Sequence, residues 1–214
     1  MRLVGGLLAA VLAATALAPD GAAAPASHYV QRLRLQAQLQ TLNAELLGRD
    51  SATGVLQDLC DRRDPAAPRI RARRSILEDA PEVLADVRKR LAAASNEPVI
   101  HRRVELTCGE AVLSRADNWY LPTRLTPEMN RQLDTTDTPF GVAVKPLAFQ
   151  RRTLSANLLF APLPPGWEAQ PAAAFDQAVT IPPEVLQHRA LLQTPDGRPF
   201  SLLVETYSDR VLVP

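Results

Sequence analysis

Val99-Ile100-His101-Arg102-Arg103-Val104-Glu105-Leu106-Thr107-Cys108 is the stretch on which the reading of this chain turns. Ile100, Val104, Leu106 and Cys108 share one parity, and a strand's period of two puts them on one face. Arg102 falls on that same apolar face. An arginine aimed inward needs an acceptor, because an unpaired buried charge is very costly. Two acceptors answer: a carboxylate of the protein, or the carboxylate of a small ligand, whose two oxygens match the guanidinium fork. Gly109-Glu110 then predicts a tight turn, and Ala111 to Leu121 a second strand that Pro122 stops. Thr126-Pro127-Glu128 predicts a helix start, with a threonine cap, proline in the first turn and an acid at the positive end. That helix carries Met129 and Leu133, and Asp137-Thr138-Pro139-Phe140-Gly141 turns the chain again.

Working outward, Ser27 to Leu47 predicts a helix with a stripe of Leu33, Leu35, Leu39, Leu42 and Leu46, ended by Gly48. Asp50-Ser51 caps a shorter helix with Val55, Leu56, Leu59 and Cys60 inward, and Asp61 to Pro68 reads as a charged loop. Arg69-Ile70-Arg71-Ala72-Arg73-Arg74 alternates basic and apolar. A half-exposed strand explains that pattern; a basic lining that draws anions toward a pocket is the functional reading. Asp79-Ala80-Pro81-Glu82 starts a helix with Leu84, Val87 and Leu91 on one side. Val142 to Leu147 is open between a helical turn and a strand, and Phe149 to Phe160 reads as a long strand. Gly166 to Pro183 is a connection with a short element near Phe175 to Val179. Leu186 to Gln193 and Phe200 to Tyr207 flank Pro195-Asp196-Gly197, and an Asp-Gly step between apolar runs is a strong hairpin signal. Helices come first, hairpins dominate the second half, and neither βαβ alternation nor a glycine-rich phosphate loop occurs. The fold expected is α+β, a mostly antiparallel sheet of about six strands with helices packed on it.

Strand, tight turn, strand ended by proline, short capped helix and then Thr138-Pro139-Phe140-Gly141 resembles the centre of the chorismate lyase (chorismate pyruvate-lyase) family. Leu46-Leu47-Gly48-Arg49-Asp50-Ser51-Ala52-Thr53 resembles that family's early helix-to-helix junction, and Asp196 to Glu205 its closing hairpin. The resemblance covers most of the chain after about residue 40. It implies that Arg102 grips a substrate carboxylate and that Glu205, on the last strand, meets the oxygen at the far end of the ring, the two lining one cavity. Arg103 is the competing register; Arg102 is preferred because Val104 and Leu106 then keep the apolar phase. Phe140 matches the turn residue that offers backbone contacts. Ala52 matches the position beneath the flap, where the family carries a larger apolar residue. The reaction implied splits chorismate into 4-hydroxybenzoate and pyruvate with no cofactor. The alternative is a binding protein that captures such an aromatic carboxylate without turning it over. The same architecture resembles the ligand-sensing domain of some bacterial transcription regulators, but no helix-turn-helix precedes it here, so a regulator is not expected.

Residues 1–26 read as a secretory signal peptide, from Arg2, an apolar run Leu3 to Leu17, and Ala24-Pro25-Ala26 as an A-x-A cleavage site. An uncleaved anchor is the other reading, although about 15 residues is short against the ~20 that a span needs. The expected product is a periplasmic or secreted single domain, residues 27–214, with no integral membrane segment. Its 214 residues suit one domain, and 46% apolar with 22% charged residues are ordinary for a globular protein. A net charge of +1 gives no pointer to nucleic acid. The expected partner is a small carboxylate, and the expected state a monomer. His28, His101 and His188 are scattered, so no metal site is expected. Export makes Cys60 and Cys108 a candidate disulfide, with two free buried thiols as the alternative.

Overall fold

The structure, a computed structural model, describes residues 27–75 and 81–212. The signal-peptide reading of residues 1–26 and the Asp79-Ala80 lead into a helix fall outside the described residues.

Helix α1 (His28–Leu47) opens on Ser27, whose Oγ accepts the Val30 amide at 3.4 Å, and buries Leu35, Leu39, Leu42 and Leu46. Helix α2 (Ala52–Arg63) is capped by Ser51, whose Oγ accepts from Gly54 N at 3.2 Å. It takes in Asp61, Arg62 and Arg63, the first residues of the charged loop expected over Asp61 to Pro68. The physical reason is anchoring: the Arg63 guanidinium donates to the carbonyls of Arg210 and Val211, and Gln57 donates to Asp61 one turn on at 2.7 Å. Arg62 and Arg63 also sit at the helix's negative end, where cations are favourable.

Six strands follow the expected count: β1 (Arg71–Ser75), β2 (Ile100–Cys108), β3 (Ala111–Tyr120), β4 (Gln150–Leu158), β5 (Glu184–Gln193) and β6 (Pro199–Ser208), with helix α3 (Pro81–Leu91) between β1 and β2. They form one sheet in the order β1-β2-β3-β6-β5-β4, every neighbouring pair antiparallel. The β2–β3 turn needs Gly109 at φ +56°, a left-handed backbone that a side chain resists. Helix α4 (Pro127–Thr135) is capped by Thr126 as read from the sequence. The open stretch after Pro139 is helical: one turn, α5 (Phe140–Ala143), then a 3-10 turn at Lys145–Leu147. In the long connection the short elements lie at Trp167–Ala169 and Ala172–Phe175, ending at Phe175 rather than starting there. Phe175 is buried because its ring stacks on Tyr29 of α1, 5.9 Å between centroids.

Three apolar clusters hold the layers. On the front of the sheet α1 and α2 cover Val104, Leu106, Ala116, Leu186 and Tyr207. Beside them α4 and α5 bring Met129, Leu133 and Phe140 onto Tyr120, Phe149, Phe200 and Leu203. On the back, Val87 and Leu91 of α3 pack on Trp119, Leu191 and Leu202. Each buried leucine or phenylalanine contributes about 1.5–3 kcal/mol of transfer free energy. Cys60 of α2 and Cys108 at the end of β2 are disulfide-bonded, Cα atoms 6.1 Å apart and 48 residues apart in sequence. The free-thiol alternative is thereby corrected; closing that span is worth ~4 kcal/mol in the chain-entropy model. Among the described residues no helix is long and apolar enough to cross a membrane.

Candidate functional site

The two front clusters do not meet flush. Between them is a chamber of about 30 Å³, walled by Val104, Leu106 and Ala116 on one side and Phe140, Phe149 and Leu203 on the other. Arg102, Asn118, Arg151 and Glu205 enter it from the sheet. Sheet register explains why these four converge: Arg102 faces Asn118 across β2–β3, and Ala116 faces Glu205 across β3–β6. Paired residues in an antiparallel sheet share a face. Arg151 arrives from β4, two strands beyond β6.

Arg102 is buried, with 3% of its surface exposed. Its Nη2 donates to the Thr138 carbonyl at 3.1 Å, while Nε and Nη1 have no hydrogen-bond partner among the described residues. Burial, and secondarily the Arg74 charge, lower its pKa to about 10 despite Tyr120, Asp137 and Asp134. Asn118 is similar: Oδ1 accepts from Ser201 Oγ, but Nδ2 has no partner among the described residues. Arg151 differs. Its Nη2 meets Glu205 Oε2 at 2.6 Å with only 2% and 8% of the two side chains exposed. Tyr207 donates its hydroxyl to the same oxygen at 3.2 Å. Burial lowers the Arg151 pKa, but the Glu205 carboxylate in particular opposes it and the net direction is upward. Burial and then Glu205 push the Tyr207 hydroxyl well above its ordinary value, so it stays a donor. Behind this group lies His188, fully buried and hydrogen-bonded to Asn43 of α1 at 2.8 Å.

The lid over the chamber is the start of α2. Asp50, Ser51, Ala52 and Thr53 line it together with Gly141. Asp50 Oδ1 accepts the Arg151 amide at 2.8 Å, tying the lid to β4. A Cβ added to Gly141 would meet Ser51 Oγ at 3.4 Å, so the space between lid and α5 there is about one methyl group wide.

Arg102, Glu205, Ala52 and Phe140 are thus brought to one chamber. Arg103 is not, and its assignment to substrate binding is corrected. It takes the opposite parity, pairs in register with Asp117, and donates Nε to that carboxylate, which also meets His101 Nε2 at 2.8 Å. The chamber is also smaller than the ring-holding cavity that the family resemblance implies for Arg102 and Glu205. About 30 Å³ has the scale of ordered water, whereas a benzene-binding cavity is on the order of 150 Å³. Sequence reading missed Arg151 and Asn118. Both carried a signal: Asn118 is in phase with Ala116 and Tyr120, and Arg151 with Phe149.

In class this is an α+β domain with one six-stranded antiparallel sheet and, under a helix start, a small apolar-walled chamber that four polar side chains enter. The chain belongs to the same family as the uncharacterized protein y4mC of Sinorhizobium fredii (strain NBRC 101917 / NGR234), to which it is 44% identical over 187 residues, 86% of this chain and 78% of that protein. No family model matches. Solved structures similar to it include PhnF from Mycobacterium smegmatis, at 18% identity and TM-score 0.47 over 78% of this chain and 67% of that one. The ligand-binding domain of a GntR-family regulator from Bordetella bronchiseptica, described as putative, gives 20% identity and TM-score 0.38 over 65% of this chain and 83% of that one. Likeness at this level carries no argument about activity.

Proposed function

We propose that this chain captures a small carboxylate in the chamber, as a binding protein outside the cytoplasm. One observation carries the reading. Two N–H groups of buried Arg102 and the Nδ2 of buried Asn118 have no partner among the described residues. A buried donor left unmade costs about 1–3 kcal/mol, more when charged. The acid that could answer Arg102, Glu205, is held by Arg151 and Tyr207. A ligand carboxylate supplies acceptors in the geometry that a guanidinium recognises. An aromatic acid enters when the Ser51–Thr53 lid moves outward and widens the chamber. The apolar leader and the Cys60–Cys108 bridge support an oxidising compartment.

A second reading, a chorismate-type lyase, is favoured by Arg102 and Glu205 lining the same chamber, the two positions that the family resemblance assigns. Arg102 would stabilise charge moving onto the departing enolate. The elimination yields 4-hydroxybenzoate and pyruvate from chorismate alone, so its atoms balance without a co-reactant.

Thermal unfolding with 4-hydroxybenzoate separates the readings. Stabilisation of wild type that disappears in Arg102→Ala is expected. Stabilisation of equal size in both proteins, or none in wild type, overturns carboxylate capture at Arg102. Pyruvate release from chorismate, followed with a coupled dehydrogenase and lost in Arg102→Ala, would establish the lyase.

A further inference from the structure

The other side of the lid faces a cleft of about 960 Å³. Asp50, Ser51, Thr53, Gly141 and Phe149 line both spaces, so a single layer of side chains separates them. The cleft's charged lining is unequal: Arg49, Arg69, Arg71 and Lys145 against Asp50 and Asp137. Arg49 is already matched by Asp58, and the Asp50 carboxylate is committed to the Arg151 amide. Arg69, Arg71 and Lys145 have no ion-pair partner among the described residues. They come from two separate segments, the entry into β1 and the turn after α5, and meet at this one opening. The start of the alternating basic run, Arg69 to Arg71, therefore lines an opening beside the chamber.

We infer that this cleft is a second anion subsite, and that the ligand is an extended dianion with one group at Arg102 and an oxyanion such as phosphate among Arg69, Arg71 and Lys145. The inference rests on the carboxylate reading of the chamber for its inner half only. Size argues for the outer half. The chamber cannot enclose an aromatic acid as it stands, so the remainder of such a ligand lies on the lid side, where the cleft begins. Charge argues for the chemistry. Arginine forks match phosphate oxygens, and like charges gathered at a concave opening raise the local concentration of anions. A simple monoanion, filling only the inner position, would leave all three cations unanswered.

The test uses isothermal titration of three proteins, wild type, Arg102→Met and the triple variant Arg69→Gln/Arg71→Gln/Lys145→Gln. The probes are inorganic phosphate, 4-hydroxybenzoate and 4-carboxyphenyl phosphate. Phosphate should bind wild type and Arg102→Met alike and at least tenfold more weakly to the triple variant, with a steep loss at high salt. 4-Carboxyphenyl phosphate should bind wild type at least tenfold more tightly than 4-hydroxybenzoate, and the triple variant should erase that advantage while binding 4-hydroxybenzoate as before. Phosphate binding that is absent from wild type, or unchanged in the triple variant, overturns the subsite. A phosphate ester no tighter than its parent overturns the dianion. Phosphate binding at the three cations with no binding of 4-hydroxybenzoate upholds the subsite and removes the chamber reading instead.

Discussion

Arg102 and Arg151 reach the same chamber from opposite halves of the sheet, and both side chains are almost sealed from solvent. Arg151 finds a carboxylate at 2.6 Å, backed by a tyrosine hydroxyl. Arg102 finds one carbonyl. A third arginine shows what full satisfaction looks like in this fold: Arg124 places five hydrogen bonds, on Glu97, Leu91, Ala92 and Pro199. Arg124 ties loops together, and Arg151 holds β4 to β6. Arg102 ties nothing comparable, and two of its nitrogens have no hydrogen-bond partner among the described residues. Arg151 and Arg189 each leave only one buried nitrogen, Nε, without a partner among the described residues, whereas Arg102 leaves both Nε and Nη1, at the place where a ligand would sit.

The largest effect expected is on the paired arginine. Glu205→Ala strands the Arg151 charge in the interior, and breaking a buried pair from one side costs about 3–5 kcal/mol. A fall of that size in urea-unfolding stability is the expected outcome. A loss under about 1 kcal/mol would mean that Arg151 reaches water, and the contrast between the two arginines would fail.

The pairing extends one residue further, to His188. Its folded pKa is about 4 against an ordinary 6.5, first from burial and then from the Arg151 charge, with Glu205 opposing. Between those values the unfolded chain binds the proton more readily than the folded one. This stability is therefore complete above about pH 6.5 and is lost as pH falls toward 4, amounting to about 3 kcal/mol. Glu97, held at about 2 by its hydrogen bonds from Arg124 and Thr123, adds its own loss only below its ordinary 4.5. The slope between pH 4.5 and 6.5 should flatten in His188→Gln, measured by urea unfolding across that range. An unchanged slope would place the titration on another group.

The two arginines were not equally legible in the sequence. Arg102 sits between Ile100 and Val104 in a strand of clean period, so its parity alone turned it inward. Arg151 was hidden because β4 is an edge strand with a register shift between Thr153 and Ser155 and exposed residues beyond it. The phase that Arg151 shares with Phe149 is cut short by that shift, so the signal it carried was weak. The partnership with Glu205 was hidden for another reason. It joins β4 to β6 across the intervening β5, a contact between side chains of strands that are not paired, which strand order alone does not encode. Turn and cap residues, by contrast, act locally, which is why Ser51, Thr126 and Gly109 were readable at their positions. The size of the chamber was not, since volume is set by how Phe140, Phe149 and the lid close on one another.

Arg102→Met reverses the sign of the first experiment. It removes two buried nitrogens with no partner among the described residues, at the loss of one bond to the Thr138 carbonyl, and keeps the packing of a long side chain, so the unliganded protein should gain about 1–3 kcal/mol. Binding of 4-hydroxybenzoate should be lost in the same variant. Greater stability with lost binding is the signature of a group kept for function. Destabilisation by Arg102→Met would instead make Arg102 a structural residue like Arg124.

The smallest effect separates the lid from the sheet that holds both arginines. Ser51 caps α2 through Gly54 N, and replacing such a cap by alanine costs about 1 kcal/mol. In Ser51→Ala the loss should be confined to the first turn of α2, because the disulfide at Cys60 fixes the far end of the helix to β2. Amide exchange should therefore quicken at Val55 and Leu56 and stay slow in β2 and β6. Ligand association and dissociation should both accelerate if this end of α2 is the way in. Exchange that quickens evenly along α2 would show the helix moving as one body, and would place the entrance to Arg102 somewhere other than the lid.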